Sequence, residues 1–229
     1  MRTQYNEVDF KREGEALPYF AMTVDRLRFQ SIQELARHRK ILVLGSGRVD
    51  VLNALQGLSR EVEVVVEKKS ADLNDSSIAL HEASVTKLPF EDHSFDVVCC
   101  FDGFASQFDT PVVLREMVRV ARPGGYVVAE FNNVLSLNFV TRKLSLAVGR
   151  GANLLAETWI SPWVVRKIVP AGARLLECRG LGLAEQLPTL SFVPFARRVQ
   201  ERAKKAALAS PLRVLADSFI AILQKEQPE

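Results

Sequence analysis

The spacing of apolar positions along this chain changes repeatedly, and each change marks an element boundary. From Val24 to His38 the residues Leu27, Phe29, Ile32, Leu35 and Ala36 recur at helical spacing, with basic residues beyond them. Ile41 to Leu44 is instead an unbroken apolar run, the pattern of a strand buried on both faces of a parallel sheet, and it ends in Gly45-Ser46-Gly47. Val51, Leu52, Ala54, Leu55 and Leu58 then supply a helix face, with Asp50 in the first turn, where the helix dipole favours a carboxylate. Val62 to Val66 predicts a second strand ending at Glu67, and the polar stretch from Lys68 to Ser77 a turn or short helix. Leu80 to Val85 predicts a third strand and Phe95 to Cys100 a fourth. Thr110 to Ala121 repeats the helical pattern; Arg122-Pro123-Gly124-Gly125 stops it and forms a turn before a fifth strand, Tyr126 to Phe131.

Beyond that point, Leu135 to Val148 reads as a helix ending at Gly149-Arg150-Gly151. Ser161-Pro162 supplies an N-cap and first residue for a helix from Trp163 to Val169. A sixth strand is expected at Arg174 to Cys178, and Phe219 to Lys225 is the last apolar run. Residues 1 to 20 carry scattered aromatics without a period, the pattern of an N-terminal arm. Strands alternating with helices imply right-handed crossovers and a doubly wound, mostly parallel sheet of class α/β.

Composition narrows the picture. With 229 residues, 48% hydrophobic and 25% charged, the chain can bury a core without staples, which disfavours disordered, collagen-like and disulfide-framework classes. Its three cysteines have neither zinc nor disulfide spacing, and its three histidines are scattered, so no metal site is expected. No run approaches the length of a membrane span and the first residues lack an apolar leader core, giving a cytoplasmic expectation. The net charge of +3 hides a division: residues 132–214 hold thirteen Lys and Arg against four Asp and Glu, whereas residues 1–131 carry a net excess of four acidic groups.

Ligands of an open parallel sheet sit beyond the carboxyl ends of its strands, which directs attention to the residues just after each strand. Gly45-Ser46-Gly47 permits a tight turn and close approach of a ligand to backbone at a helix N-terminus. Glu67 is placed to accept hydrogen bonds from both hydroxyls of a ribose. A glycine turn with an acidic residue about twenty positions later indicates a nucleotide-like ligand, without separating a nicotinamide from an adenosyl one.

Two further blocks make that separation. Leu88-Pro89-Phe90 leading to Phe95-Asp96-Val97-Val98, and Leu114-Arg115-Glu116-Met117-Val118-Arg119-Val120-Ala121-Arg122-Pro123-Gly124-Gly125, closely resemble the class I S-adenosylmethionine-dependent methyltransferases, with matching spacing from Ile41 to Phe131. A nicotinamide oxidoreductase would not account for these blocks. The resemblance implies a Rossmann-like, seven-stranded sheet whose terminal strand, Phe219 to Lys225, inserts antiparallel between the fifth and sixth. It implies S-adenosyl-L-methionine as cofactor, with Gly45, Ser46 and Gly47 along its methionine part and ribose, Glu67 on the ribose hydroxyls, and Ser84 and Val85 flanking the adenine. Cys100, Phe101 and Asp102 would face the methionine moiety and methyl group, with Asp102 a candidate base for a substrate hydroxyl. The expected reaction is methyl transfer to an oxygen or nitrogen of a small acceptor, without a metal.

The organisation expected is a single methyltransferase domain over residues 1–229, with an N-terminal arm and helix at 1–39. Residues 132–160 and 186–214 would be helical elaborations on the substrate side. The basic 132–214 region suits an anionic or glycan- or lipid-linked acceptor, or an acidic membrane surface; nucleic acid ranks below a small molecule. This sequence departs from the family at Val43, where an acidic residue is usual, and at Val49, where the third glycine of the loop would stand; Ser84 replaces a frequent acid. A β-branched residue is costly at a positive φ. A catalytically silent binding or scaffold protein with a degenerate cofactor loop is therefore the alternative reading. Asp96 is read as fixing the start of the fourth strand, and Cys99 and Cys100 as inert packing.

Overall fold

The computed structural model describes residues 19–45, 49–67, 78–101, 108–136, 138–140, 143, 158–182 and 214–227. Helix α1 (Tyr19–Ala36) precedes strand β1 (Lys40–Leu44); α2 (Val49–Leu58), β2 (Glu61–Val66), β3 (Ala79–Glu82), β4 (Phe95–Cys100), α3 (Thr110–Val120) and β5 (Ala121–Asn133) follow. A two-residue strand β6 (Trp159–Ile160), helix α4 (Pro162–Ile168), β7 (Ala173–Leu181) and β8 (Ser218–Lys225) complete the described elements.

The strands form one sheet in the order β3-β2-β1-β4-β5-β8-β7, with β6 pairing with β5 off that path. All pairs are parallel except those of β8, which lies antiparallel between β5 and β7. This is the expected arrangement, to which β6 adds a short strand beside the end of β5, matching Asn132 with Trp159. Continuous apolar runs explain it: β1, β2, β4 and β8 are buried along most of their length, so each must be covered on both faces. One face packs Leu42, Leu44, Val98, Val127, Phe131 and Phe219 against α3 and α4. The other packs Ile41, Val43, Val64, Cys99, Val128 and Ile220 against Ile32 and Ala36 of α1 and Leu52 and Leu55 of α2.

Several boundaries shift from expectation for identifiable reasons. The third strand ends at Glu82 rather than Val85; Ala83 still donates to Val66 O at 3.0 Å, but Lys87 N–H then closes a turn on Ser84 O. α3 runs directly into β5, which begins at Ala121 rather than Tyr126. Its pairing with β4 jumps from Phe95↔Ala121 to Val97↔Tyr126, so Arg122 to Gly125 bulge out of the ladder. Gly125 is required there, because a Cβ would meet Arg122 O and Asp96 O at 2.8 Å each. Asp96 fixes three strand starts: Oδ2 accepts Lys40 N–H at 2.8 Å and Oδ1 pairs with Arg122 at 2.7 Å.

The two sequence blocks that carried the resemblance are bound to each other. Leu88 N–H donates to Glu116 at 2.9 Å, and Arg119 donates to Leu88 O at 3.1 Å and Phe90 O at 2.8 Å while pairing with Glu116 and Asp92. The blocks thus fix α3 to the turn before β4, a structural task.

Candidate functional site

The carboxyl ends of β1, β2 and β4 lie side by side, since Leu44 is in register with both Val65 and Cys100. The next residues, Gly45, Glu67 one position further on, and Phe101, therefore occupy one edge of the sheet. Gly45 is buried with φ 94°, a conformation that favours glycine, and its N–H donates to Val65 O at 2.9 Å. Helix α2 begins at Val49, four positions further on. Ser46 and Gly47 lie outside the described residues, as does Asp102. Val49 is the first residue of helix α2, so the substitution expected to be costly stands in helical backbone, where a β-branched side chain needs no positive φ.

Glu67 is exposed at the end of β2, and its Oε1 accepts the backbone N–H of Val85 at 3.0 Å. The residue expected on the ribose and one expected at the adenine are thus brought together. The second oxygen, Oε2, has no hydrogen-bond partner among the described residues. Val85 is wholly buried beneath that contact, while Ser84 is exposed, its hydroxyl 2.9 Å from that of Thr86. The edge therefore presents a carboxylate oxygen next to a small polar turn over an apolar floor, suited to a ribose and a flat heterocycle.

Cys100 and Phe101 are buried, and they belong to the cores on opposite faces of the sheet. Their side chains are core, so what they would offer a ligand at this edge is mainly backbone. Burial pushes the neighbouring Cys99 thiol far above its ordinary value, which fits inert packing. Of the histidines, His81 sits 2.7 Å from Glu63 and His93 2.9 Å from Lys225 Nζ. No group of three or more His, Cys, Asp or Glu capable of holding a metal occurs among the described residues.

Sequence reasoning missed two polar groups at this end of the sheet. Glu130 of β5 is 2% exposed and makes a bidentate pair with Arg28 of α1, at 2.7 Å and 3.0 Å, while Ser218 donates to it at 2.8 Å. Asn133, fully buried at the end of β5, donates to Val214 O and Ala216 O at 2.7 Å and accepts Leu135 N–H at 3.1 Å. The first ties α1 to the strand next to β4; the second fixes the chain entering β8. A single carboxylate inside an apolar strand pattern was the available signal.

A sheet of this order, with an antiparallel strand inserted between β5 and β7, is the Rossmann-like arrangement that the resemblance implied. Residues 42–129 match the family model described as "Methyltransferase domain". It is 32% identical over 100 residues to a demethylmenaquinone methyltransferase from Deinococcus radiodurans, covering 39% of this chain and 42% of that one. It is 30% identical over 117 residues to a ubiquinone/menaquinone biosynthesis C-methyltransferase from Idiomarina loihiensis, covering 44% and 45%. The chain thus spans less than half the length of the curated relatives it matches. The crystal structure of a SAM-dependent methyltransferase from Archaeoglobus fulgidus superposes with a TM-score of 0.61 at 17% identity, covering 90% of this chain and 94% of that one, and so shares its fold.

Proposed function

We propose that this chain transfers the sulfonium methyl of S-adenosyl-L-methionine to a small-molecule acceptor. The observation that carries the reading is the Glu67–Val85 hydrogen bond, which leaves the other carboxylate oxygen without a partner among the described residues, beside the turn that would flank an adenine. The Gly45 turn would lie along the methionine part and ribose, Glu67 Oε2 would accept a ribose hydroxyl, and the backbone at Ser84 and Val85 would meet the adenine edge. The backbone at Cys100 and Phe101 would border the methionine side. When bound, the cofactor supplies a methyl group on an excellent leaving group. The protein's task is then to align the acceptor and keep water away, which needs no metal. Asp102 is the candidate to take the acceptor's proton.

The acceptor we infer is apolar or lipid-linked with an anionic part, suited to the basic 132–214 region. The names of the relatives add a quinone-type ring to that description, and one of them is a C-methyltransferase. Incubation with methyl-labelled cofactor and demethylmenaquinol, followed by solvent extraction, tests the reading. Label in the organic phase is expected, and its position in the product separates ring carbon from oxygen or nitrogen. Cofactor binding with no transfer to this or any acceptor from a lipid extract would replace the reading with a silent binding fold.

A further inference from the structure

The large apolar side chains exposed among the described residues are Leu135, Val140, Trp163, Leu176 and Leu215, all beyond β5 and four of them within the basic 132–214 segment. Two of them face each other across a surface groove. On α4, Val165 is buried in the core, which turns Trp163, Arg166 and Lys167, at i, i+3 and i+4, to the exposed side. Trp163 is 61% exposed. On β7, the pairing with β8 shifts between Leu175 and Glu177, so Leu176 bulges from the ladder and is 47% exposed. Between them runs an open groove of about 640 Å³ whose lining includes Trp163, Arg166, Leu175, Leu176, Glu177 and Cys178.

The acid at this groove is already paired with a cation. Arg166 and Glu177 are the charged residues in its lining; Glu177 is paired with Arg179 at 2.7 Å, while Arg166 shares the exposed side of α4 with Lys167. An indole flanked by cations on a short helix is the chemistry of the headgroup region of a bilayer, where tryptophan is enriched and Lys and Arg meet lipid phosphates. No helix among the described residues is long and apolar enough to cross a membrane, so contact through these elements would be superficial.

We propose that the α4–β7 face docks on an anionic lipid bilayer, with Trp163 and Leu176 entering the headgroup boundary and Arg166 and Lys167 against lipid phosphates. α4 follows β6, which pairs with the end of β5, so docking brings the membrane to the flank of the carboxyl edge, where a lipid-linked acceptor would arrive. The docking goes beyond the catalytic reading and stands without it.

The test is co-sedimentation of the full chain with vesicles of phosphatidylcholine containing phosphatidylglycerol, and with pure phosphatidylcholine. Binding is expected to the anionic vesicles and to weaken with salt. The Arg166→Glu/Lys167→Glu variant should lose on the order of tenfold or more in affinity, and Trp163→Ala several-fold. In Trp159→Phe, which leaves Trp163 as the sole tryptophan, emission should shift to the blue on anionic vesicles. No binding to anionic vesicles would overturn the proposal, as would unchanged binding by folded variants. Self-association in sedimentation velocity, abolished by Trp163→Ala, would assign the face to a second copy and also overturn it. None of these readouts depends on methyl transfer.

Discussion

Glu67 accepts the backbone N–H of Val85 at 3.0 Å, so the carboxylate after β2 is tied to the turn after β3 across eighteen positions of sequence. The contact consumes one oxygen and sets the direction of the other. It also separates two roles by substitution. In Glu67→Gln the amide oxygen would keep the Val85 bond and turn the amide nitrogen toward the ligand, whereas Glu67→Ala would lose both. Unfolding stability should therefore hold in Glu67→Gln and fall by about 1–3 kcal/mol in Glu67→Ala. Cofactor affinity should fall by roughly tenfold or more in both, because the free acceptor is gone in each. Wild-type affinity in Glu67→Gln would show that this oxygen does not hold the ribose.

The Arg28–Glu130 pair joins α1 to β5 inside the protein, with side chains 10% and 3% exposed. Removing either partner leaves a buried charge, at a cost of about 3–5 kcal/mol. Arg28→Met and Glu130→Leu should each lower the urea midpoint strongly, and the double variant should be more stable than either single one. Additive losses in that cycle would mean that the two residues act separately.

Two glycines give opposite expectations for alanine. At Gly125 a Cβ meets two backbone oxygens at 2.8 Å, so Gly125→Ala should destabilise by about 1–3 kcal/mol. At Gly57, near the end of α2, nothing lies within 4 Å of the new methyl, and Gly57→Ala should stabilise by up to about 1 kcal/mol. Thermal unfolding of the pair distinguishes them, and similar shifts for both would contradict the bulge geometry.

Acid should loosen the joint between α3 and the turn before β4. The Arg119 guanidinium holds the Glu116 carboxyl below the ordinary glutamate range, aided by Leu88 N–H and opposed by burial. A carboxyl depressed in the folded state contributes its full stabilisation above its unfolded pKa, about 4.3, and loses it as pH falls through the lower folded value. Stability measured by urea should therefore decline below about pH 4.3, and Arg119→Met should flatten that decline. An unaltered pH profile in Arg119→Met would rule out this pair as its source.

The parallel core was legible because its strands are apolar throughout: Ile41–Leu44, Val62–Val66 and Phe95–Cys100 need no partner to be recognised. Gly45 and Glu67 were legible because they punctuate those runs. The end of β3 was not, since Val85 continues an apolar pattern while its N–H is taken by Glu67, a contact no local period encodes. Nor was the start of β5, where Pro123 and Gly124 read as a turn although the chain is already paired at Ala121. Arg28 and Glu130 lie 102 positions apart, and only the packing of α1 over the sheet makes them neighbours.

Isothermal titration of the full chain with S-adenosyl-L-methionine and S-adenosylhomocysteine decides whether the carboxyl edge of the sheet holds the cofactor. Saturable binding of both is predicted, at one site, weakened together by roughly tenfold or more in Glu67→Gln. Absence of heat at millimolar concentration of either ligand, with folded protein, would mean that this edge does not bind the cofactor.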